Sequence, residues 1–307
     1  MEKLVSVIVC TYNRATYLEK CLESLSQQTY KNYEIIVVNG PSTDETSKVI
    51  EKFPTFKLIN QQQLNGLSNA RNLGIKAAKG DIIAFIDDDA IANMDWIERI
   101  MDTFETIEPQ PVCIGGKIEP IWEMPRPEWW EENLLSCLPV LDISKTPIFL
   151  KEKYLFGTNM AFEKNLLESL GGFSENLGRK GDILLSNEDT MIQDIIRNLG
   201  YHCFYHPDII VRHHIPHERL TKTWLLKRCY WQGISDAFTH CLSNSFWSKK
   251  NTIIRIRKCM SGLVIKNNYE NYSEIKVKKN RSGFYFLCIL TQDFGYFIGL
   301  IKAIKIE

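Results

Sequence analysis

The turn that follows the first apolar segment (residues 4–10) lacks the glycines that many nucleotide-binding proteins carry at this position. Residues 11–14 read Thr-Tyr-Asn-Arg, and the first 110 residues hold neither Gly-x-Gly-x-x-Gly behind that segment nor the phosphate loop Gly-x-x-x-x-Gly-Lys-Ser/Thr. The nine cysteines are scattered, with no Cys-x-x-Cys pair, which is typical of reduced thiols in a cytosolic protein. These absences argue against a dinucleotide-binding domain, a phosphate-loop enzyme and a disulfide scaffold.

The chain also carries no formal net charge, and its sequence contains no long uninterrupted apolar run. Because 37 Lys+Arg balance 37 Asp+Glu, the overall charge gives no reason to expect a nucleic-acid partner. Residues 241–307 nevertheless carry 12 Lys+Arg against 4 Asp+Glu, and a basic tail favours an anionic surface. Polar residues interrupt the apolar stretch at 283–304, and no signal-peptide pattern precedes the first strand. We expect a cytoplasmic protein without a membrane span, whose tail can still form an interfacial helix.

The first 110 residues alternate apolar strands with amphipathic helices. This alternation predicts an α/β fold with a Rossmann-like, doubly wound and mostly parallel sheet. We expect a catalytic domain over residues 1–220, in halves of about 1–118 and 119–220, and a helical basic extension over 221–307. The predicted strands are 4–10, 33–38, 56–59, 82–87, 112–118, 201–206 and 209–213. The predicted helices include one capped by Ser42 or Thr43 and ending near Ile50, and others at 69–78, 95–106 and 188–199.

Residues 80–90 are the segment around which the chain is arranged. An apolar strand there ends in three consecutive carboxylates, Asp87, Asp88 and Asp89. Ligands of open α/β sheets bind beyond the carboxyl ends of the strands. Adjacent carboxylates repel one another, and a hard divalent cation that carries a phosphorylated ligand would relieve the repulsion. The alternative is a solvated acidic turn.

Two later segments carry further candidate residues. Residues 120–147 are rich in Pro, Trp and Glu, and a long irregular segment in a compact domain is often functional. Trp129 and Trp130 either form a platform for a sugar ring or hold this loop against the protein body. Glu188 and Asp189 open a predicted helix, where their alternative role is to complement the helix dipole.

Four motifs in this order resemble those of the family 2 glycosyltransferases, inverting enzymes with the GT-A fold. Residues 6–14 are similar to the family's opening strand and nucleotide-contacting turn, and residues 65–74 to its Gly-x-x-x-Ala-Arg-Asn-x-Gly segment. The Asp87-Asp88-Asp89 run matches its metal-binding Asp-x-Asp. The Asn187-Glu188-Asp189 run matches the Glu-Asp pair that holds its catalytic base. The resemblance covers roughly residues 4–240.

The resemblance implies transfer of a sugar from a nucleoside diphosphate sugar, a UDP-sugar foremost, to a hydroxyl of a carbohydrate or lipid-linked acceptor. Such a reaction belongs to polysaccharide or glycoconjugate synthesis. The implied metal is Mn²⁺ or Mg²⁺, held by Asp87 and Asp89 with His213 as a further ligand. The alternative for His213 is that it is one of several surface histidines on a loop and binds no metal. The implied base is Asp189, with Glu188 positioning the acceptor. The implied nucleotide-sugar contacts are Thr11, Tyr12, Asn13, Arg14, Asn39, Arg71, Asp87 and Asp88. We expect acceptor contacts from Trp129, Trp130 and Asn159.

One departure from the family pattern concerns the nucleotide. Family members often carry Asp-Asp-Gly-Ser where this chain reads Asn39-Gly40-Pro41-Ser42. An amide both donates and accepts, so Asn39 can still hydrogen-bond a pyrimidine. Arg71 has three candidate roles: it offsets diphosphate charge, pairs with Asp87, or forms a surface salt bridge of little value.

The basic tail has two candidate roles. Residues 247–281 place Lys and Arg among Ile, Val and Tyr, and the aromatic-rich segment 284–287 (Phe-Tyr-Phe-Leu) follows. This pattern favours peripheral contact with the inner face of the membrane; the alternative is a packing or homo-oligomerisation arm.

Two other classes of protein compete with the glycosyltransferase interpretation. A sugar nucleotidyltransferase would usually show a glycine-rich basic loop after the first strand, which residues 11–14 do not. A non-catalytic nucleotide-sugar-binding subunit of a polysaccharide assembly would be expected to lose the Asp cluster or the Glu-Asp pair, and both are present.

Overall fold

The computed structural model describes residues 2–243 and 283–303. The chain divides into two compact units. The larger comprises residues Met1–Glu123, Pro139–Glu175 and Glu188–Ile215, and the smaller comprises Met124–Leu138, Asn176–Asn187 and Pro216–Glu307. The functional division expected near residue 220 stays a prediction.

The larger unit is built on one mixed sheet. Its strands are β1 Val5–Thr11, β2 Tyr33–Asn39, β3 Lys57–Asn60, β4 Ile82–Asp87, β5 Ala90–Ala92, β6 Cys113–Trp122, β7 Ile148–Leu150, β8 Asn159–Glu163 and β9 Cys203–Ile215. In the described part of the chain their order is β3-β2-β1-β4-β8-β6-β9-β5, with β7 paired to β9. The first four strands of the order are parallel, and β8 runs antiparallel between β4 and β6. The predicted α/β fold with a Rossmann-like, mostly parallel sheet is confirmed.

Helices cover both faces of this sheet. They are α1 Ala15–Ser26, α2 Thr46–Glu51, α3 Leu67–Ala77, α4 Trp96–Thr106, α5 Lys164–Ser169 and α6 Glu188–Asn198. Successive residues of β4 point to opposite faces. Ile82 and Ala84 therefore join the core that contains α1 and α4, while Ile83 and Phe85 join the core that contains α3 and α6. Burial on both faces explains why the strand reads as a continuous apolar run.

Several observed elements differ from the predicted ones. Helix α2 begins at Thr46, whose backbone N–H donates to Asp44 Oδ1 at 3.1 Å, so the predicted cap at Ser42 or Thr43 is wrong. Strands β5, β7 and β8 were not among the predicted strands. The two strands expected at 201–206 and 209–213 are one strand, β9. The pairing with β6 shifts register between Gly116 and Lys117, and this irregularity accommodates residues 207–209 within the strand.

The smaller unit is helical in its described part. Its main helices are α7 Lys222–Ser243 and α8 Gly283–Ala303, and short 3₁₀ turns lie at Glu132–Cys137 and His217–Leu220. The backbones of α7 and α8 approach closely, since a Cβ on Gly295 would lie 2.0 Å from the carbonyl oxygen of Tyr230. A Cβ on Gly233 would likewise lie 1.9 Å from the carbonyl oxygen of Gln292. Only glycine permits this contact at these two positions.

Helix α8 is long and apolar enough to cross a membrane, by length and composition. Its most apolar 18-residue window has a mean hydropathy of 1.5, and 28% of that window is buried in the protein. The expectation that this segment does not span a membrane stays a prediction, because length and composition alone do not decide it. The basic segment at 247–281 lies outside the described residues.

Candidate active site

Two carboxylates and one imidazole converge beyond the end of β4. Asp87 ends β4, and His213 lies near the end of β9, where it is paired with Ala90 of β5. His213 Nε2 is 2.8 Å from Asp89 Oδ1 and 3.8 Å from Asp87 Oδ2. One ligand atom from each of the three residues lies within 4.8 Å of the other two. The structure thus brings the predicted metal ligands together, and the group could hold a metal ion.

The hydrogen bonding of His213 suits a metal ligand. Its Nδ1 lies 2.7 Å from the carbonyl oxygen of His214, and because a carbonyl only accepts, Nδ1 carries the proton. In the neutral ring this tautomer leaves the lone pair on Nε2, directed toward the two carboxylates, as is usual for metal-binding histidines. Two carboxylates and an imidazole fit a divalent cation such as Mn²⁺ or Mg²⁺.

Asp88, the middle carboxylate, is held by Arg14 from the turn after β1. Arg14 Nη1 is 3.3 Å from Asp88 Oδ1 and also contacts Asp89 Oδ2. Burial raises the pKa of Asp88 to about 7, with Arg14 opposing the rise and Asp89 adding to it. Burial alone would lower the pKa of Arg14, but Asp89 and Asp88 raise it. Arg14 is therefore an internal counter-ion for the carboxylate cluster.

A buried guanidinium joins the carboxylate cluster to the start of α6. The Arg71 side chain is 4% exposed; its Nη1 donates to Glu188 Oε1 at 2.8 Å, and its Nη2 is 3.5 Å from Asp87 Oδ1. Gly157 permits this packing, because a Cβ there would lie 2.3 Å from Nη2. Of the roles considered for Arg71, the pairing with Asp87 is present, whereas the surface salt bridge is excluded by burial.

Asp189 follows Glu188 in the first turn of α6. Its Oδ2 accepts the N–H of Gly157 at 3.0 Å and its Oδ1 that of Thr190 at 2.8 Å. Burial and repulsion from Glu188 raise the pKa of Asp189 to about 6, against the opposing effects of Arg71 and the two amides. A carboxylate with this pKa is ionised at neutral pH and is a stronger base than an exposed aspartate.

Asn39 lies at the end of β2 and is 3% exposed. Its Oδ1 accepts from Ser42 Oγ at 2.8 Å and its Nδ2 donates to Asn60 Oδ1 at 3.1 Å. These bonds fix the amide orientation. Because a side-chain amide has two hydrogens and two lone pairs, one of each remains for a further partner.

The turn after β1 contains the other predicted nucleotide contacts. Asn13 adopts φ 52°, and its Oδ1 accepts the N–H of Thr43 at 2.7 Å, which ties this turn to the one after β2. Thr11 is buried, while the Tyr12 side chain is 38% exposed. The structure therefore places residues 11–14 beside Asp88 and Asp89 through Arg14.

The residues predicted to contact the acceptor have different surroundings. Asn159 is fully buried: its Oδ1 accepts from Trp96 Nε1, and its Nδ2 donates to the carbonyl oxygens of Lys117 and Ile209. Because both amide hydrogens are used inside the core, we withdraw Asn159 as an acceptor contact. In the smaller unit, Trp130 is 2% exposed and its ring centroid lies 5.2 Å from that of the half-buried Trp129. This arrangement favours loop anchoring for Trp130.

Comparison with known proteins settles the family. The sequence model of Glycosyl transferase family 2 matches residues 6–171, more than half of the chain and all four of the β1–β4 strands. The chain belongs to glycosyltransferase family 2.

Relatives and solved structures agree with this family. A glucosyl-dolichyl phosphate glucuronosyltransferase of Haloferax volcanii is 29% identical over 312 residues, which cover 99% of this chain and 98% of that protein. A mannosyltransferase of Pyrobaculum calidifontis, solved with GDP-mannose and Mn²⁺, superposes with a TM-score of 0.55 at 17% identity, covering 99% of this chain and 75% of that one. TarS of S. aureus, solved with UDP, superposes with a TM-score of 0.55 at 18% identity. That match covers 99% of this chain and 92% of the TarS chain. These likenesses confirm the GT-A fold.

Two positioning residues of this family 2 enzyme were missed from its sequence. Asn72 holds the Gly-Gly-Phe turn, since its Nδ2 donates to the carbonyl oxygen of Phe173 and its Oδ1 accepts the N–H of Phe173, both at 2.9 Å. Asn72 follows Arg71 in the segment that resembles the family motif, and this position is the sequence signal that could have marked it as a functional candidate. Gln193 bonds the N–H and the carbonyl oxygen of Leu155 at 2.9 and 3.0 Å, and no sequence signal marks it.

A pocket of about 160 Å³ adjoins the start of α6. Its lining includes the Gly171–Gly172 turn, Phe173, Glu188 and Met191. The second carboxylate oxygen of Glu188, Oε2, is buried and has no hydrogen-bond partner among the described residues. An unpaired buried acceptor costs stability, so this oxygen would readily accept a hydrogen bond from a hydroxyl group that reached it.

Proposed function

We propose that the protein transfers a sugar, with inversion, from a nucleoside diphosphate sugar to a hydroxyl of an acceptor. The observation that carries this proposal is the double contact of Arg71 with Asp87 and with Glu188, the neighbour of Asp189. One side chain thus joins the carboxylates suited to a metal–diphosphate complex and the carboxylates suited to proton transfer. An inverting displacement needs both groups in one cleft.

The donor half of the site would be held by the ends of β1, β2 and β4. Asp87, Asp89 and His213 would hold Mn²⁺ or Mg²⁺, and the imidazole favours Mn²⁺. Such an ion neutralises the charge that develops on a departing diphosphate. Arg14 keeps Asp88 in place, and Asn39 offers a donor and an acceptor to the base of the nucleotide. We take UDP as the nucleotide because of this amide, in agreement with the UDP bound to TarS.

Asp189 would accept the proton of the attacking hydroxyl. Its carboxylate is fixed by the amides of Gly157 and Thr190, which use one lone pair on each oxygen and leave another. The free oxygen of Glu188 would accept a second hydrogen bond from the acceptor. Arg71 pairs with Glu188 next to Asp189, and burial together with repulsion from Glu188 raises the pKa of Asp189 and makes it a stronger base.

A lipid-linked sugar is the acceptor class that we propose. Support comes from the Haloferax volcanii relative, which is named for a glucosyl-dolichyl phosphate acceptor and matches 99% of this chain. The exposed apolar side chains of α8 support a location at the inner face of a membrane: Phe286 is 61% exposed and Phe294 58% exposed. The ten basic residues in the segment 244–282 would meet anionic headgroups.

Vesicle flotation tests this location. We expect the wild type to float with vesicles of phosphatidylcholine and phosphatidylglycerol, and the double variant Phe286→Ser, Phe294→Ser to float much less, since burial of each ring contributes about 1.5–3 kcal/mol. Thr291→Ser, a polar change on the same helix, is the matched control. Equal flotation of all three proteins would contradict a membrane-binding role for α8.

The transfer reaction itself is tested with a panel of donors. UDP-glucose, UDP-glucuronic acid, UDP-N-acetylglucosamine and GDP-mannose are incubated with Mn²⁺ and without acceptor, where water takes the place of the hydroxyl. We expect slow release of a nucleoside diphosphate from one of them, abolished by EDTA. Formation of a nucleoside triphosphate on addition of pyrophosphate would instead identify a sugar nucleotidyltransferase.

A further inference from the structure

The pocket beside the start of α6 belongs entirely to the larger unit and has a mainly apolar lining. Its volume is about 160 Å³. Sites that enclose a drug-sized ligand measure roughly 300–1,000 Å³, so this pocket takes a single substituent or one small ring. Most of its lining side chains are apolar, namely Leu170, Phe173, Met191, Ile192 and Ile195. Phe173 and Ile192 are buried, and the other three are half-buried. An occupant must therefore present apolar surface to these side chains.

Two polar side chains interrupt the apolar lining. Glu188 Oε1 accepts from Arg71 Nη1 at 2.8 Å, whereas Glu188 Oε2 is buried and has no hydrogen-bond partner within the described part of the chain. An ionised carboxylate only accepts hydrogen bonds, while the hydroxyl of Ser174, which also lines the pocket, can donate one. An occupant that uses both groups must carry one donor and one acceptor.

The Gly-Gly-Phe turn that forms one side of the pocket is held in place by several contacts. Gly171 and Gly172 adopt φ 80° and 73°, in the left-handed region that glycine populates readily. A Cβ on Gly172 would lie 2.5 Å from Asn72 Oδ1, and Asn72 bonds both backbone groups of Phe173 at 2.9 Å. The Phe173 ring packs edge-on against Phe85, with 5.2 Å between centroids. Because the turn is already ordered, a ligand would lose little affinity to ordering it.

The substituents that sugars carry fit this lining unequally. A hydroxyl or hydroxymethyl group has little apolar surface to place against the apolar side chains. A carboxylate or phosphate would be repelled by Glu188. A protonated amine would pair with Glu188, but its remaining N–H groups would be buried against apolar side chains, which costs free energy. An acetamido group combines an N–H donor, a carbonyl acceptor and an apolar methyl group, and these match Glu188 Oε2, the Ser174 hydroxyl and the apolar side chains.

We propose that the pocket binds the acetamido group of an acceptor sugar, so that the acceptor is an N-acetylhexosamine. The amide N–H donates to Glu188 Oε2, the carbonyl oxygen accepts from Ser174 Oγ, and the methyl group packs against Met191. Ser174 and Met191 are then specificity-determining residues. This inference rests on the proposed function and narrows its acceptor to one class of sugar.

Binding of small glycosides to the full chain, with UDP and Mn²⁺ present, tests the proposal. The probes are the methyl glycosides of glucose, glucosamine and N-acetylglucosamine, together with the corresponding galactose series, which differ within a series only in the substituent at C2. We expect one N-acetylated probe to bind at least about tenfold more tightly than the hexose and the amine of its series. In saturation-transfer NMR, its acetyl methyl protons should receive the strongest signal. Equal affinities, tightest binding of an amine, or no binding of any probe would overturn the proposal.

Two variants locate the binding in this pocket. Ser174→Ala removes the donor to the carbonyl oxygen, and Met191→Asn replaces an apolar side chain of the lining. We expect each to raise the Kd of the N-acetylated probe about fivefold or more and to change the Kd of the plain hexoside much less. Leu199→Asn, just beyond the end of α6, is the matched control, because Leu199 is 56% exposed and does not line the pocket. An unchanged preference in both variants, or an equal loss in Leu199→Asn, would contradict the assignment.

Donor hydrolysis, measured without any acceptor sugar, tests the proposed function separately. A wild type that hydrolyses a donor but shows no preference for N-acetylated probes keeps the proposed function and loses the pocket assignment. A wild type that prefers an N-acetylated probe but hydrolyses no donor loses the proposed function, whereas the binding of the acetamido group stands.

Discussion

Arg71 shows how much of the site depends on one residue. It is a buried cation that contacts both Asp87 and Glu188, and removing one partner of a buried ion pair leaves an uncompensated buried charge. The phenyl rings of Phe85 and Phe173 lie 5.9 and 5.3 Å from its guanidinium and limit its movement. Replacing Arg71 therefore removes charge compensation and packing together.

We predict that Arg71→Met destabilises the protein by about 3–5 kcal/mol, because it leaves Glu188 buried without its cation. Urea unfolding followed by circular dichroism measures the difference. Lys48→Met, which breaks an exposed pair with Glu45, is the matched control and should leave the unfolding midpoint unchanged. A midpoint for Arg71→Met equal to that of the control would show that the buried pair contributes no stability.

The activity should depend on pH through Asp189. Its pKa is raised to about 6, so the carboxylate becomes protonated as pH falls through 6 and can then accept no proton. We predict that kcat falls about tenfold per pH unit well below pH 6 and levels off above it. Asp189→Asn should lower kcat at every pH by at least about a hundredfold. Asp194→Asn, on the same helix, is the control; constant activity down to pH 4 would exclude a carboxylate base.

The sequence predicted the charged residues of the site better than the neutral ones. Asp87 and Asp89 were expected at a metal because carboxylates at a strand end repel unless a cation is shared, and this argument needs only local sequence. His213 was expected from the family resemblance, and it lies beside both carboxylates. Asn159 was wrongly expected to face the acceptor. Its three partners come from strands and a helix distant in the chain, and no local pattern reveals such burial.

At the scale of elements, the N-terminal strands were predicted within one or two residues, whereas β8 and β9 were not. Continuous apolar runs mark β1, β2 and β4, because parallel strands are buried on both faces. Strand β9 contains Pro207 and Asp208, which locally indicate a turn, and a shift in pairing with β6 accommodates them. Pairing of β9 with its neighbouring strands therefore outweighed the local preference of Pro207 and Asp208 for a turn.

The contact between α7 and α8 leads to a prediction for Gly295. A side chain at this position would overlap the carbonyl oxygen of Tyr230, so Gly295→Leu should force the two helices apart and lower the unfolding temperature by several degrees, as expected for overpacking that costs about 1–3 kcal/mol. Gly283→Leu is the matched control, because a Cβ there meets no atom of the described residues within 4 Å. Equal unfolding temperatures of the two variants would contradict the close contact.

At the scale of the whole molecule, donor and metal binding should stabilise the fold. A ligand at a hundred times its Kd adds about 2.7 kcal/mol to the free energy of unfolding, so UDP together with Mn²⁺ should raise the urea midpoint of the wild type clearly. In Asp89→Asn, where one predicted metal ligand is lost, we predict that most of this increase disappears. Asp95→Asn, at a half-buried aspartate that pairs with Arg99 outside the cluster, is the control. Full stabilisation of Asp89→Asn would exclude this metal site.

The tight contact of α7 with α8 also constrains which insertions and deletions the gene can tolerate. Each residue added to a helix rotates everything after it by about 100°, so deletion of one residue early in α8 would carry Gln292 away from Asp236 and place bulky side chains against Tyr230. Changes of length between residues 243 and 283 leave that register untouched. Homologous chains should therefore differ in length before α8 far more often than within it.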